Sequence, residues 1–160
     1  MERYEERFLL AAALVLMLFL GALAYSAFAM HIALPSPHGM IHYSADQRLR
    51  LILRKTPPFD HPGVREVAPG RYEVVVVAYA WQFVPDEIEV PSGAQVTFIA
   101  TSADVIHGFF VPGTRINMML IPGEVSEFSY RFRRPGKYLL LCHEYCGELH
   151  QTMHADVVVK

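Results

Sequence analysis

Cysteine is scarce in this sequence of 160 residues, which contains only Cys142 and Cys146. A secreted scaffold held together by disulfides would carry more cysteines at wider spacing, so this class is excluded. The chain also lacks a long basic run, and its formal net charge of -2 argues against nucleic acid as a partner. Disorder is excluded too, because 52% of the residues are hydrophobic.

Charge is missing from the whole stretch between Phe8 and Met30. As a helix this stretch would reach about 35 Å, enough to cross a hydrocarbon core of roughly 30 Å. A cleaved signal peptide is the alternative, since Ala27-Phe28-Ala29 resembles a cleavage site. However, the apolar run is longer than a typical signal core, and three glutamates precede it. We therefore predict a retained membrane anchor over residues 1–30.

Positive charges are unevenly distributed around this apolar run. Arg3 and Arg7 precede it, whereas residues 31–45 contain neither lysine nor arginine. The positive-inside rule then favours a cytoplasmic N-terminus with the rest of the chain outside. We predict a single pass through a prokaryotic plasma membrane, with the remaining chain on the outer, periplasmic face.

Proline is concentrated in residues 31–70, which predicts a connector with one short helix from Asp46 to Lys55. From residue 71 the pattern changes to β-branched and aromatic runs separated by Pro-Gly turns. Short strands at this spacing indicate an all-β sandwich or barrel over residues 71–160. The predicted strands are Tyr72–Phe83, Glu87–Val90, Ala94–Ala100, Gly108–Val111, Ile116–Leu120, Val125–Phe132, Lys137–Leu141 and Ala155–Val159.

Side chains that bind metals are dense in residues 142–153, directly after a predicted strand. They offer two thiols, an imidazole and a thioether, which suit copper and are poor ligands for Mg²⁺ or Ca²⁺. His107 lies far upstream, at the start of another predicted strand. A β-sandwich can bring it to the same end as this loop. The candidate ligands are therefore His107, Cys142, Cys146, His150 and Met153.

Two copper arrangements are compatible with these residues. A single-copper electron-transfer site uses two histidines, one cysteine and a weak axial methionine, and has no use for Cys142. Alternatively, two thiolates can bridge two copper ions, each completed by one histidine and one weaker ligand. A shared electron would then change each ion only partially, and small structural changes favour fast electron transfer.

Zinc and surplus imidazoles are the alternatives at this loop. A zinc site of two cysteines and two histidines would leave Met153 unused, and a β-sandwich is not a typical zinc framework. His143 and His154 also lie close in sequence, but a closed site has no place for further imidazoles. We therefore predict copper, with these two histidines as bystanders.

The anchor, the strand-rich domain, the upstream histidine and the spacing Cys-x3-Cys-x3-His-x2-Met together resemble subunit II of the haem–copper cytochrome oxidases. The resemblance covers the anchor and residues 71–160, and the single helix is similar to the compact B-type form. It implies a cupredoxin-like Greek-key β-sandwich with a binuclear copper A centre. In that centre Cys142 and Cys146 would bridge, His107 and His150 would each bind one copper, and the weak ligands would be Met153 and the backbone carbonyl of Glu144.

The same resemblance implies partners and a function. The chain would accept electrons from cytochrome c or a similar donor and pass them to haem in subunit I, where oxygen is reduced by a proton-translocating complex. In the A-type form a glutamate between the cysteines also binds Mg²⁺ or Mn²⁺, so Glu144 is a candidate for a second metal. The segment Tyr79-Ala80-Trp81-Gln82-Phe83 resembles the aromatic docking patch. Strand alternation would place Tyr79, Trp81 and Phe83 on one face, and we predict that electrons enter through Trp81 with Tyr79 beside it.

Other functions make different demands on the sequence. A membrane-anchored copper chaperone also uses Cys-x3-Cys and a histidine, but that histidine follows the cysteines on a thioredoxin-like α/β fold. A blue-copper carrier needs one cysteine, not two. Nitrous oxide reductase shares the copper motif but is a much larger soluble enzyme.

Overall fold

The computed structural model describes residues 3–30, 36–41 and 49–160. Its contacts divide the chain into two units, Met1–Leu34 and Pro35–Lys160. The described part of the first unit is one helix, α1 (Arg3–Phe28), in which no residue is buried. Because α1 is about 39 Å long and strongly apolar, it is long enough to cross a membrane.

The second unit is a sandwich of two β-sheets. One sheet has the strand order β1-β9-β6-β3-β2, with β4 also paired to β3, and the other has the order β5-β11-β10-β7-β8. The pairs β3–β6 and β5–β11 are parallel, and the other strand pairs are antiparallel. The strands are β1 (Ser36–Met40), β2 (Gly63–Ala68), β3 (Arg71–Tyr79), β4 (Gln82–Val84), β5 (Glu87–Val90), β6 (Gln95–Ser102), β7 (His107–Phe110), β8 (Asn117–Leu120), β9 (Glu124–Arg131), β10 (Gly136–Leu141) and β11 (His154–Val159).

The sheet that contains β3 is covered on both faces. Val74 and Val76 lie in the core between the sheets, whereas Val75 and Val77 lie in a second cluster on the opposite face. We call this second cluster the outer core; its buried members are Ile41, Leu49, Leu53, Phe59, Val75, Val77 and Ala103. A strand buried on both sides needs apolar side chains at every position, which explains the unbroken run of valines in β3.

The predicted strand from Tyr72 to Phe83 is in fact two strands. The chain reverses after β3, and β4 returns antiparallel with Tyr79 opposite Gln82. The prediction that Tyr79, Trp81 and Phe83 share one face is therefore wrong: Tyr79 packs against the outer core, while Trp81 and Phe83 belong to the core between the sheets. A residue distant in sequence contacts this turn, since the Asp104 carboxylate accepts the Ala80 N–H at 2.8 Å. The other predicted strands agree with the structure to within two residues at each end.

The described part of the predicted connector also contains regular structure. Strands β1 and β2 form the two edges of the first sheet, and the short helix α2 (Leu49–Leu53) lies between them in sequence. Most side chains at the centre of β2 are exposed, so its sequence lacks the apolar alternation that predicts a strand. The helix predicted from Asp46 to Lys55 is present as α2, although residues 46–48 lie outside the described residues.

Candidate metal centre

The candidate ligands meet at one end of the sandwich. The pair β10–β11 runs antiparallel with Leu141 opposite His154, so the loop of residues 142–153 leaves and re-enters the sheet at adjacent positions. The Cys142 N–H closes this loop by donating to the Met153 carbonyl at 3.2 Å. The sheet therefore fixes both ends of the loop that carries most of the ligands.

The two thiols lie side by side and are not joined in a disulfide. Their Sγ atoms are 3.7 Å apart, and both cysteines are buried. The Cys142 Sγ also lies 3.3 Å from the backbone carbonyl oxygen of Glu144. Two soft sulfur atoms in this arrangement can contact the same metal ions.

One imidazole lies beside each thiol. His107 Nδ1 is 3.8 Å from Cys142 Sγ, and His150 Nδ1 is 3.4 Å from Cys146 Sγ. The thioether of Met153 is 3.7 Å from Cys146 Sγ and is buried. All five predicted side-chain ligands and the Glu144 carbonyl are thus brought together. The Glu144 carboxylate is not: among the described residues, the group of titratable ligands within 4.8 Å of one another consists of His107, Cys142 and Cys146.

Asp104 orients His107, a role that no sequence pattern predicted. His107 is fully buried, and its Nε2 lies 2.9 Å from Asp104 Oδ1. Because a carboxylate can only accept here, Nε2 carries a proton, and Nδ1, which faces Cys142, is the nitrogen left to bind a metal. The spacing Asp-x2-His at the start of a strand was the available signal. It is short and common, and only the fold shows that the two side chains meet.

The hydrogen bonds at the site also change proton affinities. Burial opposes a charged imidazole, but the hydrogen bonds to Asp104 and Cys142 outweigh it and raise the pKa of His107. Burial also opposes a charged thiolate at Cys142, yet the hydrogen bonds from His107 and the Gly108 backbone lower its pKa. Burial and the neighbouring Cys142 raise the pKa of the Cys146 thiol. The metal-free site therefore retains protons that metal binding would displace.

Trp81 contacts the loop directly. Its indole Nε1–H donates to the Cys146 carbonyl at 3.2 Å, and the side chain is half-buried. Tyr79 lies elsewhere, against the outer core, with the guanidinium carbon of Arg50 4.7 Å from its ring centroid. The structure therefore brings one of the two predicted electron-transfer aromatics to the site, and not the other.

The two bystander histidines have other partners. His143 is exposed, and its ring centroid lies 5.4 Å from that of Phe110. His154 is also exposed, and its Nδ1 lies 2.8 Å from the Thr152 carbonyl oxygen.

Comparison with known sequences gives one consistent family. Residues 68–160 match the family described as cytochrome c oxidase subunit II, periplasmic domain. A relative from Thermus thermophilus, described as cytochrome c oxidase subunit 2, is 40% identical over 159 residues. This match covers 98% of the chain and 92% of the relative.

Solved structures give the same result. A chain of a haem–copper terminal oxidase dimer, determined by cryo-electron microscopy, is 30% identical with a TM-score of 0.74. That similarity covers 99% of this chain and 100% of the other. The periplasmic domain of subunit II from the Bradyrhizobium japonicum oxidase is 22% identical and shows the same fold, with a TM-score of 0.52 over 55% of this chain and 83% of the other.

Proposed function

Because the chain belongs to the cytochrome c oxidase subunit II family, we propose that it is the subunit through which electrons enter a respiratory haem–copper oxidase. Family membership makes it a subunit of an oxidoreductase, and its second unit has the cupredoxin-like Greek-key sandwich of that family. The proposed step is the transfer of one electron from reduced cytochrome c, or a similar carrier, to haem in subunit I. Oxygen is reduced there, and not on this chain.

The observation that carries this proposal is the pair of buried thiols with an imidazole beside each. The set contains soft sulfur and borderline nitrogen donors, its two thiols are buried, and these thiols are not joined in a disulfide. These properties suit copper and leave no surplus ligand. We assign His107, Cys142, Cys146, His150, Met153 and the Glu144 carbonyl to a binuclear copper A centre in the domain of residues 71–160.

Rigidity is what the protein adds at this centre. A bound copper pair supplies reversible one-electron transfer. The hydrogen bond between Cys142 and Met153 ties the two ends of the loop, and Asp104 holds the ring of His107. Because these hydrogen bonds hold the candidate ligands in place, little rearrangement would accompany a change of charge on a bound copper pair, which would favour fast electron transfer.

Trp81 is the better candidate for the residue that receives the electron. Its side chain is partly exposed to solvent, and its indole N–H donates to the carbonyl of Cys146, one of the two proposed bridging cysteines. Within the described part of the chain, the ring of Tyr79 contacts the guanidinium of Arg50 instead. We therefore assign this role to Trp81, and the proximity of Tyr79 in sequence has no bearing on it.

The surface beside the centre suits the docking of a protein donor. Val105 and Ile106 directly precede the ligand His107, and both are exposed. Tyr145 and Leu149 lie in the loop of residues 142–153, which we call the ligand loop. Both are also exposed, and Tyr145 has 81% of its surface accessible. Exposed apolar and aromatic side chains next to a redox centre mark an interface, here for cytochrome c.

A second metal at Glu144 depends on the partner subunit. The Glu144 side chain is half-buried, and it lies outside the titratable cluster found among the described residues. Mg²⁺ is usually bound by few protein carboxylates with several waters. We propose a Mg²⁺ or Mn²⁺ ion only as a site shared with subunit I.

The membrane topology follows from α1. We propose that α1 crosses the prokaryotic plasma membrane once, within the lipid bilayer, and that the sandwich lies on the periplasmic side. The length and apolar character of α1 support the span, and the match of residues 68–160 to a periplasmic domain family supports the orientation.

Electron uptake by the full-length chain in detergent tests the proposal. After loading with copper, reduced cytochrome c is titrated in without oxygen while bound copper is measured. We expect two coppers and one accepted electron per chain. Cys142→Ser should lose this capacity because a hydroxyl does not replace a soft bridging thiolate. His154→Gln, which alters an exposed histidine nearby, is the matched control and should behave like the wild type. One copper per chain in the wild type would exclude the binuclear centre.

A further inference from the structure

Arg50 is a charged side chain of α2 with two contacts outside its own helix. Its guanidinium carbon lies 4.7 Å above the centroid of the Tyr79 ring, a cation–π distance. Its Nη2 lies 3.4 Å from Asp104 Oδ2. The Arg50 guanidinium thus packs on the Tyr79 ring while it faces the Asp104 carboxylate.

Asp104 joins four parts of the fold. Its Oδ2 accepts the Ala80 N–H at 2.8 Å and also faces Arg50. Its Oδ1 accepts the Val105 N–H at 2.8 Å and lies 2.9 Å from His107 Nε2. One carboxylate therefore connects α2, the β3–β4 turn, its own loop and the buried imidazole. Any group that changes the charge or position of Asp104 also acts on His107.

We propose that Arg50 is a positioning residue that acts on the copper ligand His107 through Asp104. The proposal rests on the assignment of His107 to the copper centre. A cation beside Asp104 draws electron density from the carboxylate, which weakens its hydrogen bond to the imidazole and makes His107 a less basic ligand. Helix α2, which lies outside the ligand loop, thereby contributes to the redox properties of the centre.

The role is electrostatic more than stabilising. The Arg50 side chain is 51% exposed and that of Asp104 is 25% exposed, so solvent screens the ion pair and it adds little to folding. Loss of the cation should instead make His107 more electron-donating and favour the oxidised metal. The reduction potential should therefore fall.

The test compares Arg50→Gln with Arg54→Gln in the full-length, copper-loaded chain in detergent. Arg54 is exposed and directly follows α2, so its substitution removes the same charge nearby without touching Asp104. We expect Arg50→Gln to lower the equilibrium constant for accepting one electron roughly two- to fivefold, the range that corresponds to a screened ion pair. At 59 mV per tenfold change this is a drop of about 20 to 40 mV. Arg54→Gln should change the reduction potential much less, and both variants should still bind copper.

Asp104→Asn provides the second arm. If Arg50 acts through Asp104, adding Arg50→Gln to this variant should cause no further drop in potential. Equal shifts from the two arginine variants, or a full Arg50 effect in the Asp104→Asn background, would overturn the proposal.

A copper-free readout separates this inference from the function itself. In the metal-free chain, the nitrogen NMR shift of His107 Nε2 should move in Arg50→Gln and stay unchanged in Arg54→Gln. An unchanged shift in both variants would refute the coupling even if Asp104→Asn fails to fold. Conversely, a wild-type chain that binds one copper would refute the proposed binuclear centre, while this comparison still tests the coupling.

Discussion

At the scale of single residues, two glycines allow the ligand loop to pack closely against its neighbours. A Cβ on Gly108 would overlap the imidazole of His143 and lie 2.6 Å from its backbone nitrogen. A Cβ on Gly147 would lie 2.9 Å from Trp81 Nε1, and the φ of Gly147, +122°, is rare for other residues. The loop can therefore approach β7 and Trp81 because these positions lack side chains.

Gly108→Ala should displace the start of the ligand loop. The new methyl group collides with backbone as well as with the ring of His143, the residue that follows Cys142, so a rotamer change cannot relieve it. We expect the unfolding free energy to fall by about 1–3 kcal/mol, as at other overpacked sites, and copper binding to weaken. Thermal unfolding of the metal-free chain measures the first effect. Gly39→Ala, where a Cβ meets nothing within 4 Å, is the control, and an equal loss there would refute the explanation.

Gly147→Ala should separate Trp81 from the Cys146 carbonyl. Trp81 is the sole tryptophan of the chain, so its fluorescence reports on this contact directly. We expect a shifted emission maximum and slower electron uptake from cytochrome c. Gly136→Ala introduces a Cβ at φ +147° with nothing within 4 Å, and so introduces a comparable backbone strain without the ring contact. The prediction fails if both variants change the emission alike.

The clustering of the candidate ligands could be predicted from the sequence largely because four of these side chains lie within one loop. His107 was also predicted, since a sandwich was expected to bring it to that loop. Asp104 was missed because its partners come from three separate segments, including Ala80 and Arg50. Local sequence patterns do not carry such contacts.

At the scale of secondary-structure elements, α2 covers the outer face of the first sheet. Leu49 and Leu53 are buried there beside Val75 and Val77 of β3. Sequence patterns predicted a short helix in this region but assigned it to a connector. Proline-rich composition indicates where regular structure is interrupted, and it does not show whether the segment packs on a neighbouring sheet.

Leu53→Ala tests this role of α2. Leu53 is fully buried in the outer core, whereas Leu51 on the same helix is 56% exposed. We expect Leu53→Ala to cost about 2–5 kcal/mol of unfolding free energy, because a cavity replaces a packed side chain. Leu51→Ala should change it by less than about 0.5 kcal/mol. Chemical denaturation of both variants measures the unfolding free energy, and equal losses would show that α2 does not stabilise the sheet.

At the scale of the whole molecule, the candidate metal ligands lie at one end of the sandwich. The C-terminal end of β10 and the N-terminal ends of β7 and β11 all meet there, and the exposed apolar side chains of Val105, Ile106, Tyr145 and Leu149 belong to the same loops. The fold class and the N-terminal apolar helix could be predicted from strand spacing and the uncharged run. The two-sided burial of β3 could not, since it depends on a segment distant in sequence.

The most direct test of the account is the electron paramagnetic resonance spectrum of the copper-loaded full-length chain. Two bridging thiolates should let one unpaired electron be shared between two coppers, so the hyperfine pattern should arise from two copper nuclei. This two-nucleus pattern should disappear in Cys142→Ser, because a hydroxyl does not replace a soft bridging thiolate. Hyperfine structure from a single copper nucleus in the wild type would contradict the binuclear centre and would favour a single-copper site instead.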